Sequence, residues 1–203
     1  MKLTLSPPNQ LTVLRILLTP VFLVLLFAND QALHQWSLAV YIVAALTDWY
    51  DGWLARRWGY VTRWGAFLDP FADKVLTSAA LISFVVLRLV PAWPVWIIVV
   101  RDIAVTGLRS YAEFKGRTFD TSKLAKTKTF SQLVVIYYIL VLYVARESLL
   151  KESYGTIIDS LLHPTLVYAL IVLVAGITLL SGILYVVGNR TTIRELADSE
   201  IPQ

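Results

Sequence analysis

The sequence predicts an all-α integral membrane protein, a bundle of six transmembrane helices with its functional site near the cytoplasmic ends. Three observations carry this. Hydrophobic residues fill 57% of the 203 positions and charged residues 16%, against roughly 45–50% and 25% in soluble domains. The mean hydropathy is +0.66. The apolar residues also fall in runs approaching the ~20 residues that cross a hydrocarbon core of ~30 Å.

The elements follow in order. Pro7 and Pro8 stop any earlier helix, leaving 1–8 as an interfacial N-terminus, and Asn9 suits the N-cap of a first span over 11–27. Arg15 lies one turn inside that span, where it either snorkels to headgroups or reaches a substrate. A short polar loop, 29–35, precedes a second span that starts at Trp36 and carries Asp48 and Asp51 near its end. Arg56, Arg57 and Arg63 crowd the connection around Gly59; a third span then carries Asp69 and Asp73 and runs apolar to Val90.

Pro91 and Pro94 mark the next turn, before a fourth span over 95–108 that is interrupted by Arg101 and Asp102 and closed by Arg109. On a helix Asp102, Thr106 and Arg109 share a stripe, with Arg101 about 100° round from it. A basic connector holds Lys115, Arg117, Lys123, Lys126 and Lys128. The fifth span covers 130–144, a polar loop 146–164, and the sixth span 166–187; a polar tail, 189–203, completes what reads as one membrane domain over 1–203.

Charge gives the topology. Lys2, Arg56, Arg57, Arg63, the basic residues of the connector (Arg117 included), Arg190 and Arg194 fall in one set of loops and termini, while the other set holds Arg88, Arg146 and Lys151. Both termini and the aspartates are therefore expected on the cytoplasmic side. The net charge of +4, so unevenly placed, points to a lipid surface and not to nucleic acid. The chain has no cysteine, which excludes disulfides, thiolate nucleophiles and thiolate metal sites. His34 and His163 fall in outer loops, so general-base work on the cytoplasmic side must fall to a carboxylate.

The stretch 48–73 holds four such carboxylates, Asp48, Asp51, Asp69 and Asp73, at the mouths of two apolar helices. Carboxylates there are costly, and a function is the default expectation. Spacings of three and four put each pair on one helical face, with Gly52, Ala55 and Gly65 leaving room beside them. Two such helices side by side converge oxygen ligands suited to hard cations, Mg²⁺ or Mn²⁺, and four carboxylates suffice for two ions. The competing reading is a set of surface aspartates near helix ends.

Written as D-x2-D-G-x2-A-R-x8-G-x3-D-x3-D, the residues Asp48, Asp51, Gly52, Ala55, Arg56, Gly65, Asp69 and Asp73 resemble the signature of the CDP-alcohol phosphotransferase family of integral membrane enzymes. The resemblance implies that the four aspartates bind two metal ions that hold the diphosphate of a CDP-linked lipid. It implies that Asp73 is also the base for the attacking hydroxyl. Gly52 and Ala55 would make room for the nucleotide and Arg56 would contact it. Family membership further implies a homodimer.

The remaining cations bear on the acceptor. Arg101 would be expensive facing lipid, so it is expected to face the bundle interior. With Arg109, Lys126 and Lys128 it suits the phosphate of an anionic acceptor; a structural Arg101–Asp102 pair with loop charges is the alternative. The stretches 8–15, 47–58, 65–74, 101–109 and 122–132 resemble the family branch that joins CDP-diacylglycerol to sn-glycerol 3-phosphate in a bacterial cytoplasmic membrane. Members taking inositol phosphate, membrane prenyltransferases with paired aspartate motifs and carboxylate-bearing ion carriers are the rival readings.

Overall fold

Pro7 opens the first helix, α1 (Pro7–Leu26), because the first turn needs no amide from a proline. The computed structural model describes the backbone of residues 7–58, 63–116, 119, 123–148 and 150–198, and their side chains apart from those of 7–10, 48–49, 51–58, 63–70, 123, 150–151 and 197–198. After α1 come α2 (Gln31–Trp58), α3 (Arg63–Val86), α4 (Ala92–Phe114), α5 (Lys123–Arg146), α6 (Leu150–Leu161), α7 (Pro164–Gly188) and α8 (Arg190–Asp198). No strand occurs among the described residues. The all-α expectation holds.

Several boundaries differ from those expected, each for a local or a packing reason. The second helix begins at Gln31 and not at Trp36, because the Asp30 carboxylate accepts from the Ala32 amide at 2.7 Å and caps the helix start. His34 then sits in its first turn, buried, donating from Nε2 to the Ala28 carbonyl at 2.7 Å and tying the end of α1 to α2. Asn9 lies inside α1 and is not its cap. The third helix stops at Val86, short of Val90; Arg88 takes a left-handed φ of 58° and the Leu89 amide donates back to the Phe84 carbonyl at 2.9 Å.

The fourth helix runs past Arg109 to Phe114 because Ala112, fully buried, packs with Phe119, Tyr185 and Leu196. The fifth starts at Lys123 and not at Phe130, its polar opening turns supported by Lys128 and Gln132, both buried.

Two segments read as irregular are helical. Within 146–164, α6 buries Ile158 in the main core, Leu162 just past its end joins it, and Tyr138 Oη donates to the Leu161 carbonyl at 2.7 Å. In the tail, α8 turns Ile193 and Leu196 onto α4 and α7. Both are amphipathic helices that only a partner surface completes.

The main core joins α1 to α5 with α7 through Phe22, Tyr41, Phe84, Ile98, Ile139 and Ile171. Among the described residues two helices are long and apolar enough to cross a membrane, 124–146 and Pro164–Gly188, with a shorter apolar helix at Leu11–Leu26. Length and composition thus suit a membrane protein. Arg15 is 1% exposed; it turns into the bundle and does not snorkel.

Candidate active site

Asp48 and Asp51 lie on α2, and Asp69 and Asp73 on α3. Helical backbone at these positions preserves the three- and four-residue spacings, so each pair shares a face; α2 and α3 both pack mainly on α1 and touch each other only slightly. The side chains of Asp48, Asp51, Gly52, Ala55, Arg56, Gly65 and Asp69 lie outside the described residues. Asp73 is described. Its carboxylate is 30% exposed and accepts from Lys74 Nζ at 2.7 Å. Thr77 Oγ1 donates to the Asp73 carbonyl at 3.0 Å, leaving the Asp73 carboxylate clear of that hydroxyl. Among the described residues, Lys74 is the cation that holds this partly exposed carboxylate.

A second cluster forms where α4, α5 and α7 meet. Lys128 of α5 donates to both carboxylate oxygens of Asp102 on α4, and each side chain is 2% exposed. Arg101 Nη1 lies 3.4 Å from Asp102 Oδ1, and its Nη2 donates to Ser181 Oγ on α7 at 3.0 Å. Among the described residues two cations thus face one carboxylate, Lys128 buried and Arg101 part-buried. Burying charge is tolerable only when it is matched, so the arrangement favours an anion beside Arg101.

The other basic residues sit elsewhere. Arg109 pairs with Glu113 at 2.9 Å, both about half exposed, and Lys126 is exposed. Of the four cations expected at an acceptor phosphate, the structure brings Arg101 and Lys128 together through Asp102 and leaves Arg109 and Lys126 at the surface. The Arg101–Asp102 pairing of the alternative reading is also present, but Lys128 is the closer partner of Asp102.

The α7 contribution escaped the sequence reading. Gly182 admits the Arg101 stem, since a Cβ there would lie 3.0 Å from Arg101 Cγ and 3.1 Å from Nε. Thr178, Ser181 and Tyr185 are buried on the same stripe. Arg101 Nε, Thr178 Oγ1 and Tyr185 Oη are buried polar atoms with no hydrogen-bond partner among the described residues, a costly arrangement that a bound polar molecule relieves. The available signal was positional: Thr178, Ser181, Gly182 and Tyr185 recur at i, i+3, i+4 and i+7 within an apolar helix.

Residues 5–150 match the family model described as CDP-alcohol phosphatidyltransferase. The chain belongs to this family. The CDP-alcohol phosphatidyltransferase match takes in Asp48 to Lys128, and so both clusters' α2 to α5 residues, and stops before α7. Among curated relatives, a Bacillus subtilis protein named CDP-diacylglycerol–glycerol-3-phosphate 3-phosphatidyltransferase is 40% identical over 141 residues, covering 64% of this chain and 73% of the relative. A protein of the same name from Cereibacter sphaeroides is 39% identical over 135 residues, covering 64% of this chain and 61% of the relative. Another from Salmonella typhimurium is 36% identical over 139 residues, covering 66% of this chain and 75% of the relative.

Proposed function

We propose that this chain is a membrane enzyme that transfers the phosphatidyl group of CDP-diacylglycerol to sn-glycerol 3-phosphate and releases CMP. The shared name of relatives up to 40% identical carries the reading. The surplus positive charge at Arg101, Asp102 and Lys128 supports an anionic acceptor over a neutral or cationic one.

The donor set fits a hard divalent cation: Asp73 presents a partly exposed carboxylate, and the helical backbone at 48, 51 and 69 places three more on α2 and α3. In this reading Asp48, Asp51, Asp69 and Asp73 hold two ions, Mg²⁺ or Mn²⁺, which when bound polarise the diphosphate oxygens. Gly52 and Ala55 leave space for the cytidine nucleotide and Arg56 contacts its phosphates. Asp73 takes the proton from the acceptor hydroxyl as that oxygen attacks the lipid-bearing phosphorus. The phosphorus–oxygen bond to CMP breaks, and CMP leaves with the electron pair. Arg101 grips the acceptor phosphate, with Lys128 adding charge through Asp102. Arg109 and Lys126 complete the grip by swinging in from the surface; an exposed pair such as Arg109–Glu113 holds by only ~0–1 kcal/mol.

The same reading takes α1 to α5 and α7 as six spans of one membrane domain, a homodimer in a bacterial cytoplasmic membrane with both termini and the site on the cytoplasmic side. The basic residues flanking the α2–α3 and α4–α5 connections support that side.

Two measurements test this. Purified protein supplied with CDP-diacylglycerol, a divalent cation and several acceptors in parallel is expected to prefer sn-glycerol 3-phosphate; preference for inositol phosphate would keep the family and discard the acceptor. Gly182→Ala, by pushing on the Arg101 stem, is expected to raise the glycerol 3-phosphate KM about tenfold with the donor KM unchanged. Equal effects on both constants would remove Arg101 from the acceptor side.

A further inference from the structure

Where the turn between α3 and α4 meets the first turn of α7, a cleft of about 550 Å³ opens. Val85, Leu89 and Val90 line one side, and Pro164 and Tyr168 the other. Arg88 lines it too, with hydroxyls on Thr165 and Tyr168. Asp73 and Val85 lie twelve residues apart on α3, or ~18 Å at ~1.5 Å per residue. The cleft is therefore at the far end of that helix from the aspartates.

Three observations single out Arg88. Its φ of 58° is left-handed, and no other described non-glycine residue takes such a value. That conformation crowds the Cβ of an L residue and costs glycine nothing, so glycine is the usual occupant just past a helix end. Holding an arginine there costs local stability, which a use for its side chain offsets. Second, the residue is exposed and meets no carboxylate among the described residues, whereas Arg101, Arg109 and Arg146 each pair with one. Third, it borders an apolar hollow beside Tyr168, whose ring packs edge-on against Trp93 at 6.5 Å, both about half exposed. Tryptophan and tyrosine gather at the level of lipid headgroups. An arginine that merely snorkels along a helix surface needs neither the hollow nor the strained backbone.

We propose that this cleft binds an anionic phospholipid of the leaflet opposite the aspartate site, its phosphate on the Arg88 guanidinium and the first methylenes of its chains against Val85, Leu89 and Tyr168. Charge decides the class. A headgroup with one net negative charge neutralises one unpaired cation, while a zwitterionic headgroup brings its own ammonium to the phosphate and gains less. Thr165 and Tyr168 supply hydroxyl donors for the remaining phosphate oxygens. The proposal rests on α3, α4 and α7 crossing a membrane, and on neither the donor nor the acceptor assignment.

The test places purified full-length protein in nanodiscs of phosphatidylcholine and adds phosphatidylglycerol carrying a photoreactive diazirine beside the ester of one chain. The matching phosphatidylcholine probe is the control. Label is expected at 85–91 and 164–168, about tenfold above the control, since a hydrogen bond to a charged group is worth at least that factor. Arg88→Gly relieves the backbone and is expected to melt near the wild-type temperature while losing the excess label. Arg88→Gln, which keeps the stem and drops the charge, is expected to lose it too. Excess CDP and excess inorganic phosphate are expected to leave the wild-type label in place, because neither offers chains to the apolar lining.

Equal labelling by the two probes would assign the cleft to bulk lipid and overturn the proposal. An excess that survives in both Arg88 variants would remove the guanidinium from the site. Loss of the label to CDP would assign it to the catalytic centre, and loss to inorganic phosphate would make the cleft a site for the free anion; either result overturns the lipid. No label anywhere on the chain would discard the membrane reading together with the site. Label confined to other positions would discard the site alone.

Discussion

Asp73→Asn lowers kcat about a thousandfold or more, within the span assigned to a positioned general base, while the protein still inserts and melts near the wild-type temperature. The amide keeps the shape of the carboxylate and removes its charge and its ability to take a proton. The Asp73 carboxylate is partly exposed and accepts from Lys74 Nζ, while the Thr77 hydroxyl donates to the Asp73 backbone carbonyl. In the proposed mechanism its loss removes a metal ligand and the base together, so the effect is expected on kcat and on the apparent affinity for the divalent cation. Asp69→Asn, one turn earlier on α3, is expected to lose the metal without losing the base. The decisive measurement is initial-rate release of CMP across a cation titration. A near-wild-type kcat in Asp73→Asn would refute both roles at once.

The second large effect is on stability. Asp102→Ala leaves Lys128 as an uncompensated buried cation beside the part-buried Arg101, and Lys128→Met leaves Asp102 with the 3.4 Å contact to Arg101. Each single change is expected to cost about 3–5 kcal/mol. The double variant Asp102→Leu with Lys128→Met removes both charges and is expected to recover most of that loss, because apolar groups of similar volume replace a buried pair at little net cost. Thermal melting in one detergent would show it; additive losses in the double variant would contradict the pairing. The double variant also separates two roles of Lys128. If it folds and keeps the wild-type acceptor KM, the lysine is structural and Arg101 holds the phosphate without it.

Much of this was legible without coordinates because it is local. A carboxylate three or four residues from another shares its helical face whatever the tertiary structure does, so Asp48, Asp51, Asp69 and Asp73 could be grouped from spacing alone. Apolar run length and composition likewise depend on no partner. The irregular reading of 150–161 and of the tail failed for the opposite reason. Neither α6 nor α8 has a sustained apolar run, and each is held by a surface contributed from elsewhere, Tyr138 in one case and Ala112 with Tyr185 in the other.

The sequence by itself determined the helical class, the carboxylate spacing and the family, since each is written in the periodicity of one segment. Only the tertiary structure decided what the charges on α4 do. Asp102 meets Lys128 across 26 positions and Arg101 meets Ser181 across 80. Periodicity shows that a helix has a polar stripe, but which stripe faces which is settled by packing three helices at once. That packing turned Lys128 from a free phosphate ligand into the partner of an aspartate, and brought an uncharged helix beyond the family match to the side of Arg101.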